Sequence, residues 1–73
     1  MIEIGTKVKF IPFFNDNKLL TPAERRSFAT VGTVVYVNHD HKYFTAEYDC
    51  LGTKQRESFK FYYLGKMVKI LGH

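Results

Sequence analysis

The chain has no tryptophan, one cysteine and two prolines, and no long apolar run. Each of these absences excludes something. A lone cysteine, Cys50, cannot close an internal disulfide, so a disulfide-stapled secreted miniprotein is ruled out and a reducing, cytoplasmic setting is expected. Two prolines and five glycines are too few for a collagen-like or Pro/Gly-rich low-complexity chain. The opening MIEIGTKVKF is broken by Glu3, Lys7 and Lys9. Neither a signal-peptide apolar region nor a membrane helix is expected, and no membrane partner. Residues 1–73 make one domain. A chain of this size buries only about 60% of the surface its unfolded form exposes. That leaves one thin core and little room for an enclosed active site. A non-enzymatic protein is therefore expected, with no cofactor and no small-molecule substrate.

What is present in excess is aromatic and basic. Seven Phe and five Tyr make 16% of the chain, enough large rings to fill a small core with few residues. The net charge is +4 and unevenly spread. Residues 1–30 hold five Lys/Arg against three Asp/Glu, and residues 54–73 hold five against one. Between them, Lys42 stands against Asp40, Glu47 and Asp49. Basic end regions around an acidic middle suit a nucleic acid or an acidic protein surface as partner.

The periodicity reads as five short strands. In Thr6–Ile11, Lys7, Lys9 and Ile11 alternate with Val8 and Phe10, and Pro12 ends the run. Val31–Asn38 is apolar on both faces, with Val31, Val35 and Val37 on one and Val34 and Tyr36 on the other. Gly32 marks a bend or a close backbone approach. After the polar turn Asn38–Lys42, Tyr43–Cys50 places Phe44, Ala46, Tyr48 and Cys50 on one face. Tyr43, Thr45, Glu47 and Asp49 take the other. Leu51-Gly52-Thr53 turns the chain into Lys54–Phe61, with Phe59 and Phe61 inward. A short link, Tyr62–Gly65, leads to a last strand, Lys66–Leu71, with Val68 and Ile70 inward. In the long first connection, Thr21-Pro22-Ala23-Glu24 has the form of a helix N-terminus and predicts a short helix from Pro22 to about Ser27. Tight hairpins imply antiparallel neighbours, and a small antiparallel sheet protects its edges by curling.

This order of elements resembles the SH3-like small β-barrel. GTKVKF resembles the first strand of many SH3-like and KOW-type domains, VGTVVYV their bent second strand, and YYLGK the 3₁₀ turn before the last strand. The resemblance implies an all-β, five-stranded antiparallel barrel with a long first loop carrying the short helix. It identifies a fold and no single activity. The peptide-binding SH3 group uses an acidic first loop and a Trp. Here Arg25 and Arg26 occupy that loop and Trp is absent, which argues against proline-rich ligands. The layout also resembles small uncharacterised phage and prophage proteins of bacteria.

Two constellations are candidates for function. If the first and last strands pair as in SH3-like barrels, Lys7 and Lys9 lie beside Lys69, with Lys66 near the end. Together with Lys60 they would contact phosphates, and binding would weaken with salt. The same lysines could simply solvate a sheet and block its edge. The second is a patch of Phe13, Phe14, Arg25, Arg26, Tyr62 and Tyr63. It would stack on unpaired bases or, alternatively, form a protein interface. In that alternative the chain is a protein-interaction module, for instance a phage-encoded inhibitor of a bacterial host protein. In the alternative to both, Phe13 with Leu19, Leu20 and Phe28 packs the long loop onto the barrel. His39-Asp40-His41 offers too few ligands for a structural metal site, and none is expected. Cys50, beside Asp49, reads as a small buried hydrophobe rather than a nucleophile.

Overall fold

The computed structural model describes residues 2–12, 29–50 and 52–71. Five strands follow one another: β1 (Lys7–Phe10), β2 (Thr30–Asn38), β3 (Tyr43–Cys50), β4 (Thr53–Lys60) and β5 (Val68–Ile70). They form one antiparallel sheet in the order β4-β3-β2-β1-β5. The end strands β4 and β5 lie on opposite edges and do not pair. The barrel closure expected from the sequence is therefore not made among the described residues. β5 is only three residues long and pairs with β1 alone among the described strands. The short helix expected at Pro22 to about Ser27 falls outside the described residues.

The alternation read in β1 holds. Val8 and Phe10 are buried and Lys7 and Lys9 exposed. The core they enter contains Ile2, Val34, Phe44, Ala46, Tyr48, Phe59 and Val68. Each fully buried Val or Phe contributes roughly 1.5–3 kcal/mol relative to exposure. Phe10 meets the rings of Tyr48 and Phe59 edge-on, with centroids 5.2 and 5.0 Å away. Ile2 joins this core because Glu3–Thr6 folds back on itself. The Thr6 N–H donates to the Glu3 carbonyl, and Gly5 takes a positive φ of 95°. No periodicity signals that burial, since the turn interrupts it.

β2 departs most from expectation. The register runs Thr33↔Glu47 and Val34↔Ala46, then Tyr36↔Thr45, so Val35 is an extra residue with no partner on β3. This β-bulge flips the alternation. Val34 and Val37 both face the core, whereas Tyr36 turns outward and Val31, before the bulge, is 50% exposed. The two apolar faces seen in the sequence are thus one inner face read through a change of phase. β2 pairs with β1 through Thr30–Thr33 and with β3 from Thr33 to Asn38, so Thr33 is held on both sides. Gly32 supplies the close approach expected of it. A Cβ there would sit 2.9 Å from the Glu47 carbonyl oxygen and 3.0 Å from the Phe10 ring.

The hairpins fall where expected. In the first, Asn38 Oδ1 accepts the His41 N–H at 2.9 Å. In the second, Cys50 pairs with Thr53 around Gly52, whose φ is 83°. β4 ends at Lys60 rather than Phe61, because Phe61–Tyr63 form a 3₁₀ turn. The Phe61 N–H donates to the Lys42 carbonyl at 2.9 Å, tying this turn to the first hairpin. The last strand is shorter than the sequence suggests. Ile70, expected inward, is 44% exposed, since β5 is an edge strand with cover on one side only.

Candidate functional site

The sheet register decides which basic side chains stand together. On the outer face, Lys9 of β1 lies directly opposite Lys69 of β5 and, on its other side, opposite Val31 of β2. Lys7 lies opposite Thr33, whose Oγ1 accepts its ammonium at 2.6 Å. All three lysines are exposed, and among the described residues none forms an ion pair with a carboxylate. Like charges directly across a ladder repel. The Lys9–Lys69 pair is therefore a place where positive potential is held against the preference of the fold.

On the opposite side of the same outer face, two of the three basic residues of β4 are compensated. Asp49 of β3 pairs with Lys54 of β4 at 3.3 Å, and Glu47 pairs with Arg56 at 3.1 Å. These carboxylates, which the sequence places on an exposed acidic strand, are occupied by the cations facing them in the register.

The other expected site residues are dispersed. Lys60 ends β4 opposite Tyr43, with β2 and β3 between it and β1. Lys66 lies in the turn before β5, and its ammonium sits 3.6 Å from the centroid of the Tyr62 ring. Tyr62 is 69% exposed, whereas Tyr63 is partly buried against the core. Phe13, Phe14, Arg25 and Arg26 lie outside the described residues. His39 lies edge-on to Phe61, with centroids 5.9 Å apart. Among the described residues no group of three His, Cys, Asp or Glu side chains converges. Cys50 packs partly buried against the core.

One group on the outer face is not foreshadowed by the sequence pattern. Tyr36, turned out by the bulge, meets Tyr43 with ring centroids 5.8 Å apart and planes tilted by 49°. Asn38 Nδ2 donates to the Tyr36 hydroxyl at 3.2 Å. Next to them the Thr45 and Ser58 hydroxyls are hydrogen-bonded at 2.8 Å. Only the bulge places Tyr36 with Tyr43, and strict alternation assigns it to the opposite face.

One titratable group on the core side of β3 is perturbed. Burial pushes the Tyr48 phenol above its ordinary value, helped by the nearby Glu57 carboxylate, which accepts the Tyr48 hydroxyl at 3.3 Å. That keeps Tyr48 a neutral hydrogen-bond donor, a structural role.

No protein-family model, curated protein or solved structure matches this chain.

Proposed function

We propose that this chain is a small non-enzymatic binding module of SH3-like architecture that engages nucleic acid through the lysines of β1 and β5. The order β4-β3-β2-β1-β5, the long connection between β1 and β2, and the 3₁₀ turn ahead of β5 support the SH3-like reading, here as an open sheet. The observation that carries the functional reading is the Lys9–Lys69 cross-strand pair with Lys7 beside it, cationic and without a carboxylate among the described residues. Successive phosphates relieve the repulsion within that pair and release counterions as they bind. Lys66, held over Tyr62 next to β5, extends the basic surface.

Titration of fluorescein-labelled DNA and RNA, single-stranded and duplex, at low and high salt tests this by anisotropy. If three phosphates are neutralised, log K should fall against log salt with a slope of about −2 on single strands and about −3 on duplex DNA. A flat salt dependence removes the reading.

A second reading, a protein-interaction module, is favoured by the exposed apolar side chains around the β5 edge, where Tyr62, Met67 and Ile70 all reach solvent. In that case the lysines steer association toward an acidic partner and the aromatics carry affinity. A phage-encoded inhibitor of a bacterial host protein would be built this way. Tyr62→Ala would then abolish binding, with a milder response to salt.

A further inference from the structure

We infer that the Tyr36–Tyr43 pair on the outer face is a base-stacking platform, so that the nucleic acid taken by this module is single-stranded. The inference rests on the lysine reading above and specifies its substrate class.

The β-bulge at Val35 is the feature that creates the platform. A bulge re-aims the side chains that follow it. Here it lifts Tyr36 out of the core alternation and sets it against Tyr43, leaving it 46% exposed. Packing Tyr36 on Tyr43 stabilises the sheet by at most about 1 kcal/mol and leaves ring surface open to solvent. Two tilted rings, one of them anchored by Asn38, offer a preformed surface for a flat base. The surroundings suit a nucleotide. Lys60 stands opposite Tyr43 and supplies a cation, and the Thr45 and Ser58 hydroxyls beside Tyr36 donate or accept toward base edges and sugars. Of the outward carboxylates of β3, Glu47 faces Thr33 across the ladder and Asp49 lies near the end of the strand, and both are already paired, with Arg56 and Lys54.

The platform is continuous with the lysines through β2. Thr33, which accepts the Lys7 ammonium, and Tyr36 face Glu47 and Thr45, two positions apart on β3, so the bulge brings them to about 7 Å at the usual rise per residue. A phosphodiester backbone resting on Lys9, Lys69 and Lys7 would bring a following base over Tyr36. Only an unpaired base can do this, because duplex bases are stacked inside the helix. Base–aromatic stacking tolerates any base, so single-strand preference without strong sequence preference is the expected behaviour.

The test compares a short mixed-sequence DNA strand, its RNA counterpart and the annealed duplex by anisotropy at low salt. The native chain should bind a single strand more tightly than the duplex. The double substitution Tyr36→Leu with Tyr43→Leu keeps apolar cover on the sheet and removes stacking. It should weaken single-strand binding about tenfold, leaving duplex affinity and the salt slope unchanged. Equal affinity of the native chain for single strands and duplex overturns the inference. So does an unaffected double variant; in either case, binding still lost on Lys69→Glu leaves the lysine reading standing. Absence of binding to every probe removes both. Should the double variant fail to fold, the native chain decides by NMR. The Tyr36 and Tyr43 ring protons should shift when a single strand is added, and rings that stay still while the Lys9 and Lys69 amides move overturn the inference.

Discussion

The two sides of the outer sheet face carry similar numbers of basic residues in opposite states. Along β4, Lys54 and Arg56 meet Asp49 and Glu47 across the ladder, and their charges are neutralised within the sheet. Along β1 and β5, Lys9 meets Lys69, and Lys7 meets a threonine hydroxyl. A count of charges along the chain cannot tell these sides apart, because register decides which cations find a carboxylate. Only those left over build an external field. On this sheet the unbalanced positive charge gathers along β1 and β5, with Lys60 at the end of β4 as the exception on the other side.

Removing the core beneath both sides should do the most damage. Phe44 is fully buried, and its ring lies against those of Phe59 and Phe61. Phe44→Ala should cost about 3–5 kcal/mol, a large share of the roughly 5–15 kcal/mol typical of a folded domain. Urea unfolding would read this as a large drop in midpoint, and an unchanged midpoint would remove Phe44 from the core assigned to it.

A smaller change strikes the joint between the sides. Gly32→Ala pushes a methyl against the Glu47 carbonyl of β3 and the Phe10 ring of β1. A destabilisation of about 1–3 kcal/mol is expected, since backbone on one side has no room to yield. A melting temperature indistinguishable from the native value would contradict the close approach.

Charge reversals should act on the two sides in opposite directions. Lys69→Glu converts a repelling cross-strand pair into an attracting one and should stabilise the fold by about 0.5 kcal/mol. Lys54→Glu does the reverse on the other edge, where it sets a second carboxylate against Asp49, and should destabilise by a similar small amount. Thermal melts of the two variants moving in the same direction would show that the sides do not differ as described.

The smallest effect concerns alkaline pH. The Tyr48 phenol is held above its ordinary value of 10.0 by burial, then by the Glu57 carboxylate. The folded state thus favours the neutral phenol. This contribution is complete below the unfolded value and is lost as pH rises through the raised folded one. Stability measured from about pH 9 to 11 should fall less steeply in Tyr48→Phe than in the native chain. Parallel curves would remove the assigned environment.

Much of this arrangement was legible in the sequence. The Lys7–Phe10 alternation, both hairpins, the inward set on β3 and the opposition of Lys9 and Lys69 follow from period-two patterning joined to one topological expectation. Other features were not legible. The bulge in β2 leaves no compositional mark within VGTVVYVN, since an extra valine among valines looks like a doubly apolar strand. Ile2 is buried by a turn rather than by an alternating run. The length of β5 is overstated by the apolar and basic run KMVKIL, and nothing in the alternation tells an open sheet from a closed barrel. Of the site, the lysine opposition was legible, whereas the tyrosine pair depends on the bulge and shared its obscurity.

If the uncompensated lysines are the binding surface, variants on the two edges of the sheet must part company. Anisotropy titrations of a labelled single strand at low salt should be run with the native chain, Lys69→Glu and Lys54→Glu side by side. Lys69→Glu should lose binding while its melting temperature holds or rises, and Lys54→Glu, on the compensated side, should bind almost as the native chain does. Equal losses in the two variants, or no loss in Lys69→Glu, would place the binding surface elsewhere.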